Sequence, residues 1–261
     1  MKPSMIVRVL LAGTVVACLG VGSDREVASE LRQMGGHRET ELADLYFETG
    51  SLSEEQMSVF AGLAQKGIAD IAAFAGVPLP QERKIRYYIS SQFPISHSRG
   101  NSVYLPLARV ANQSAPYLHE TAHVMVPCGN CPMWFNEGLA SFMQSYVAEH
   151  MGGYDGFIFA RRGNRGIDRD AVRWMGNDRG RAVLPFIGKP EEPPQILDDR
   201  DNVAAPYYVM AQSLVKYIVE NTAQEKLRLV MDDNDFEEAL GRVTGKSAEQ
   251  WKQSWLSQIG S

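Results

Sequence analysis

The spacing of apolar residues predicts most elements of this chain. Leu42 to Phe47 has the composition of a strand, although Glu41 to Leu45 also fits one turn of helix. Phe60, Leu63, Ala64, Ile68, Ile71 and Ala72 recur at helical spacing. That helix is opened by Ser51-x-x-Glu54 or Ser53-x-x-Gln56, each a capping-box pattern, and is closed by Gly76 and Pro78. Lys84 to Ser90 and Asn101 to Leu105 read as two further strands, with His97 in a polar turn between them. A helix follows, with Ser114 as candidate N-cap, Pro116 in the first turn and Pro127 as its stop. Pro132 opens the next helix, whose apolar side is Leu139, Phe142, Met143, Tyr146 and Val147. Residues 152–206 carry mainly loop signals, with a short helix around Asp168 to Met175. Helices then run from Pro206 to about Glu220, from Phe236 to Val243, and from Ser247-x-x-Gln250 onward, where Trp251 and Trp255 form an i, i+4 core pair.

The front of the chain has a different character. Lys2 and Arg8 precede an apolar run from Val9 to Ala17, too short to span a bilayer and suited to an export signal. It ends Val15-Val16-Ala17-Cys18, which resembles a bacterial lipobox, so Cys18 is the expected lipidated N-terminus and membrane anchor, at the periplasmic face of a bacterial membrane; a plain cleaved signal, giving a secreted protein, is the other reading. The expected organisation is therefore a signal over 1–17, a tether with a short helix over 18–40, and one folded domain over 41–261. His37, at the end of that tether, reads as a solvated side chain.

Composition narrows the class. The chain has 261 residues, is 44% hydrophobic and 22% charged, and carries a formal net charge of −5, all ordinary for a globular protein. Loss of residues 1–17 would leave 24 basic residues against 31 acidic, a net charge of −7. No basic stripe interleaved with aromatic residues is present, so a nucleic-acid partner is not expected. No later stretch is long and apolar enough for a transmembrane helix.

The chemistry concentrates in Pro116-Tyr117-Leu118-His119-Glu120-Thr121-Ala122-His123. On a helix, residues four apart share a face, so His119 and His123 can offer two imidazoles to one metal ion. Glu120 is rotated away from that pair and can reach a water beside the metal as a general base. A catalytic zinc site usually takes three protein ligands. Glu137 is the expected third, with thirteen residues between it and His123, which is room for one helix to end and another to fold back. Glu149 and His150 are the remaining candidates. The spacing of Gly and His that marks metzincins is absent after His123. Cys128 and Cys131 bracket the turn that follows. A zinc knuckle would need a second ligand pair, and a redox pair would need a βαβ setting, so a disulfide pinning this turn is the expectation, with free thiols the other choice. The arginines at 161, 162 and 165 read as a solvated loop rather than a subsite.

His-Glu-Thr-Ala-His followed by Trp134-Phe135-Asn136-Glu137-Gly138-Leu139-Ala140 resembles the gluzincin metallopeptidases, the group of thermolysin, aminopeptidase N-like enzymes and bacterial collagenases, and within it the small bacterial peptidase MA-like domains. The likeness continues in Ala211-Gln212-Ser213-Leu214-Val215-Lys216-Tyr217 and from Asp235-Phe236-Glu237-Glu238-Ala239-Leu240 through Trp251 and Trp255. It implies an α+β, zincin-like fold: a small mixed sheet, the His-Glu-x-x-His helix beneath it, and a helical C-terminal lobe. It implies Zn2+ as cofactor and hydrolysis of peptide bonds in a peptide or protein substrate, which would join the strand before the zinc helix as an antiparallel strand. It implies that the residue one turn after Glu137, here Ser141, orients a zinc ligand; a helix serine bonding its own backbone is the alternative. It also implies a tyrosine stabilising the oxyanion from the opposite side of the cleft. The family's position for it is Met210 here, which leaves Tyr207 and Tyr208 as candidates. The Gly-x-Met-Glu-Asn signature of the aminopeptidase N-like enzymes is absent, which argues against aminopeptidase action. Two other functions stay open: a zincin-fold binding or scaffold lipoprotein without turnover, and an amidase acting on cell-wall peptides.

Overall fold

In the computed structural model, residues 24–33, 35–80, 82–194, 196 and 203–260 are described, and they form two compact units. Cys18 and the whole 1–17 signal lie outside the described residues.

The first unit comprises residues up to 65 together with 80–115. Its sheet has five strands: β1 (Gly36–Glu39), β2 (Ala43–Phe47), β3 (Ile85–Ser90), β4 (His97–Arg99) and β5 (Ser102–Pro106). Their order is β1-β2-β3-β5-β4, with β2, β3 and β5 parallel and the two edges antiparallel, so the expected small mixed sheet is present. Alternation sets the faces. Leu45, Phe47, Ile85, Tyr87, Ile89, Val103 and Leu105 are fully buried. Phe60, from the first half of α2 (Glu54–Ala75), meets Phe47 edge-on with 6.4 Å between ring centres. Of the two candidate capping boxes, Ser53–Gln56 forms in both directions. Ser51 instead donates to the carbonyl of Glu48.

The other register of these strands carries a continuous row of rings. His37, Tyr46, Tyr88, Tyr104 and His97 come from five successive strands and stack at 4.8, 5.3, 5.4 and 4.7 Å. Here the structure departs from the expected tether. Residues 24–33 form helix α1, whose Val27, Ala28 and Leu31 are buried with Tyr88, Phe93 and Tyr104. Arg32 donates to the Tyr88 hydroxyl at 3.0 Å, and Asp24 meets His97 Nε2 at 2.9 Å. The folded part therefore begins well before residue 41, because this stretch covers apolar ring surface that alternation left on the sheet. His97 is a strand residue, not part of a turn, and His37 is half of a stacked pair. A short helix, α3 (Leu107–Ala111), follows β5.

The second unit holds residues 66–79 and 116 onward and is helical throughout its described residues. Its elements are the second half of α2, then α4 (Tyr117–Met125), α5 (Met133–His150), α6 (Ile158–Arg162), α7 (Ile167–Met175), α8 (Asp178–Val183), α9 (Ala204–Glu220), α10 (Gln224–Met231), α11 (Phe236–Thr244) and α12 (Ala248–Ile259). Helices α6, α8 and α10 are not apparent from periodicity, being only a few residues long. The closing helices match expectation: Ser247 and Gln250 form a capping box, and Trp251 and Trp255 are buried. The mixed sheet beside many helices is compatible with an α+β class. Among the described residues, no helix is long and apolar enough to cross a membrane.

Candidate metal centre

Helix α4 is short, and packing rather than capping holds it. Ser114 does not cap it; the Ser114 hydroxyl and amide both turn to Asn112 Oδ1, and Pro116 occupies the cap position without a side-chain bond. Leu118, Thr121 and Ala122 are buried, and the Thr121 hydroxyl donates to the carbonyl of Tyr117 at 2.6 Å. Gly67 of α2 lets this helix come close, since a Cβ there would sit 2.5 Å from Leu118 Cδ2. The helix stops at Val126, before Pro127. Cys128 and Cys131 then form a disulfide with Cα atoms 5.3 Å apart, as expected for this turn.

Pro132, in extended conformation, starts α5. Trp134 and Phe135 at its beginning are fully buried against Phe236 of α11, at ring distances of 6.0 and 4.7 Å. Gly138 allows α9 to approach: a Cβ at this position would lie 2.6 Å from the carbonyl oxygen of Ala211. Glu137 is thus seated on a segment fixed from two sides.

Three side chains converge from these helices. His119 Nε2 lies 3.0 Å from Glu137 Oε2 and 3.1 Å from His123 Nε2, and His123 Nε2 lies 3.5 Å from Glu137 Oε1. Among the described residues, His119, His123 and Glu137 are the group whose donor atoms, all within 4.8 Å of one another, could hold a metal ion. Tetrahedral zinc with bonds of about 2.1 Å sets its donors about 3.4 Å apart. The observed separations bracket that value, and two imidazoles with one carboxylate are a donor set zinc accepts, so the residues fit the ion. Burial opposes the Glu137 charge, but hydrogen bonds from both histidines outweigh it and hold the carboxyl well below the usual range. Burial also opposes a proton on His119, yet the Glu137 hydrogen bond and the charges of Glu120 and Glu137 raise its pKa.

The surrounding residues divide. Glu120 is buried next to His119 and is not one of the three converging groups. Ser141 Oγ is 3.2 Å from His119 Nδ1. Gln144 accepts the His119 backbone N–H at 3.3 Å. Its signal is in the sequence: Glu137, Ser141 and Gln144 form a polar i, i+4, i+7 stripe along α5. Glu149 and His150 are engaged elsewhere. Glu149 accepts from the Asn164 amide at 3.1 Å and pairs with Arg165, while His150 stacks on Tyr146 at 4.1 Å. Tyr208 presents its ring edge-on to His119, with centres 6.4 Å apart. Tyr207 is fully buried, and its hydroxyl has no hydrogen-bond partner among the described residues. Burial, then the charges of Glu192 and Glu137, push that hydroxyl far above the ordinary range.

No family model matches the chain, and no curated protein matches it. Among solved structures, it is similar to a two-domain M1 zinc metallopeptidase bound to L-arginine, at 14% identity with a TM-score of 0.37. The match covers 85% of this chain and 51% of that one, so the chain spans about half of that protein's length. At that level of similarity neither fold nor activity is carried over from it.

Proposed function

We propose that this chain is a zinc-dependent peptidase that hydrolyses internal peptide bonds. The convergence of His119, His123 and Glu137, with Glu120 buried beside them but outside the donor set, carries the reading. Bound zinc supplies a Lewis acid that acidifies water and polarises a carbonyl. The chain supplies the rest. Glu120 takes the proton from the attacking water and passes it to the leaving amine. Tyr208, at the edge of the His119 ring, is the better placed tyrosine to donate a hydrogen bond to the developing oxyanion. Tyr207, with its hydroxyl buried, has a packing role. Ser141 holds the His119 ring in orientation.

The deciding comparison is Glu120→Gln against wild type, with metal content and digestion of a mixed peptide library measured on the same samples. The amide should retain about one zinc per chain and lose about 10²–10⁴-fold in turnover. Equal cleavage by the variant, or a wild type that holds no zinc, would sink the mechanism. A wild type that binds zinc and peptides without cutting them would instead make the protein a binder.

The same reading puts the enzyme outside the cytoplasm on a lipid anchor at Cys18, motivated by the sequence that precedes it. Cys18→Ser should release the protein from membranes into the soluble exported fraction. Unchanged membrane association would remove the anchor from the proposal.

A further inference from the structure

The helical unit contains a second concave feature that the peptidase reading does not use. The end of α2, the end of α4, the middle of α5, the end of α9 and α10 enclose a cavity of about 440 Å³. Its wall includes Phe74, Leu139, Val219 and Leu227, together with three methionines, Met125, Met143 and Met231. The cavity is a built feature, since defined bonds tie its far wall in place. Gln224 of α10 donates to the carbonyl of Phe74, and Arg228 donates to that of Gly76 at 2.9 Å. Val126, Leu139 and Met143 also line a small adjoining space that reaches His123, so one side of the cavity is the back of the helices bearing the candidate metal group.

Well-packed interiors leave few voids larger than a water molecule. An apolar cavity of about 150 Å³ stays dry and takes up benzene, so this one has room for a body of about three such rings. Its charge chooses among ligands. The charged side chains in the wall are Arg228 of α10 and Asp232 just after it, one of each sign and both exposed, so the site has no net charge with which to select an ion. Methionine side chains are unbranched and polarisable, and mould to ring or chain surfaces alike. We propose that this cavity is a binding site for a neutral, predominantly apolar small molecule of about three-ring size.

N-phenyl-1-naphthylamine, neutral and three-ringed, is the probe. With the purified full chain, its fluorescence should saturate at one molecule per chain. Ala75→Trp and Val219→Trp, which place an indole in the void, should each weaken binding at least tenfold. Decan-1-ol should displace the probe at least ten times more effectively than decanoate. Binding that never saturates, or equal binding by both filled variants, overturns the site; decanoate as the better competitor overturns its neutral character. A measurement on wild type alone guards against variants that fail to fold. With 13C-methyl methionine labelling, the resonances of Met125, Met143 and Met231 should shift on probe addition while those of Met57 and Met210 stay in place. Unmoved cavity methionines would overturn the proposal whatever the variants do.

Discussion

His37 and His97 stand on the two edge strands of the sheet unit, and His119 and His123 stand one turn apart in the helical unit. The first two each stack on a tyrosine, at 4.8 and 4.7 Å, and each faces one aspartate, at 3.8 Å for His37–Asp44 and 2.9 Å for His97–Asp24. The second two bring their Nε2 atoms to 3.1 Å of each other and share Glu137. The residue type is the same; the number of donors that converge differs. One carboxylate against one imidazole gives an ion pair or a hydrogen bond, whereas two imidazoles closing on one carboxylate leave a hole shaped for a cation.

The largest effect expected from this contrast is on zinc binding, measured by calorimetry. His119→Ala and His123→Ala should each weaken it by more than about 100-fold, beyond the range of losses outside the ligand set. His37→Ala and His97→Ala should leave zinc affinity unchanged and lower thermal stability slightly through lost stacking. A loss of zinc from either sheet variant would end the distinction between the two pairs.

A second test uses pH on the metal-free protein. Glu137 has a folded pKa held below its unfolded value, so its contribution is present above about pH 4.3, the usual glutamate value, and fades as pH falls through the depressed one. His119 has a raised folded pKa, so its contribution is full below about pH 6.5 and fades as pH rises through the raised value. Both are in force between about pH 4.3 and 6.5, where a charge-assisted contact of this kind contributes about 1.5–3 kcal/mol. Thermal melts across pH 3 to 8 should show Glu137→Gln losing most stability relative to wild type inside that window. A difference independent of pH would mean that shape, not charge, holds the group together.

The two histidine pairs also measure how far the sequence could be read. The pairing of His119 with His123 was legible because helical spacing is a local rule: four residues apart is one face, whatever the rest of the chain does. Glu137 was legible because the turn between the helices is short and closed by Cys128 and Cys131. The roles of His37 and His97 were not, because a strand residue's neighbours come from other strands, and sheet order is a long-range property. The same reason hid the packing of α1, though a short helix is expected there. Its three buried positions, Val27, Ala28 and Leu31, gain meaning only once Tyr88 and Tyr104 are known to lie side by side. Ser114 misled because a capping residue is defined by where the helix starts, and α4 starts three residues later, at Tyr117. Which of Tyr207 and Tyr208 turns its ring toward His119 depends on how α9 packs against α5, a contact that Gly138 makes close at Ala211.

The smallest expected effect concerns the far nitrogen of a metal-facing ring. For His119 to offer a lone pair at Nε2, its proton must sit on Nδ1 and be donated to Ser141 Oγ, 3.2 Å away. In the sheet unit, His97 has a full carboxylate, Asp24, at the equivalent distance scale, 2.9 Å. The metal-facing ring therefore rests on the weaker acceptor. Ser141→Ala should leave Nδ1–H buried without that acceptor and weaken zinc binding by about tenfold, the low end for such supporting contacts. Ser141→Thr, which keeps the hydroxyl, should restore wild-type affinity. Ser141→Asp should exceed it by making the ring a stronger donor, and should change how zinc affinity depends on pH, which a change in packing alone would not do. If Ser141→Ala binds zinc as tightly as wild type, the hydroxyl is a bystander and the orientation of His119 comes from Glu137 and from the Gln144 contact to its backbone.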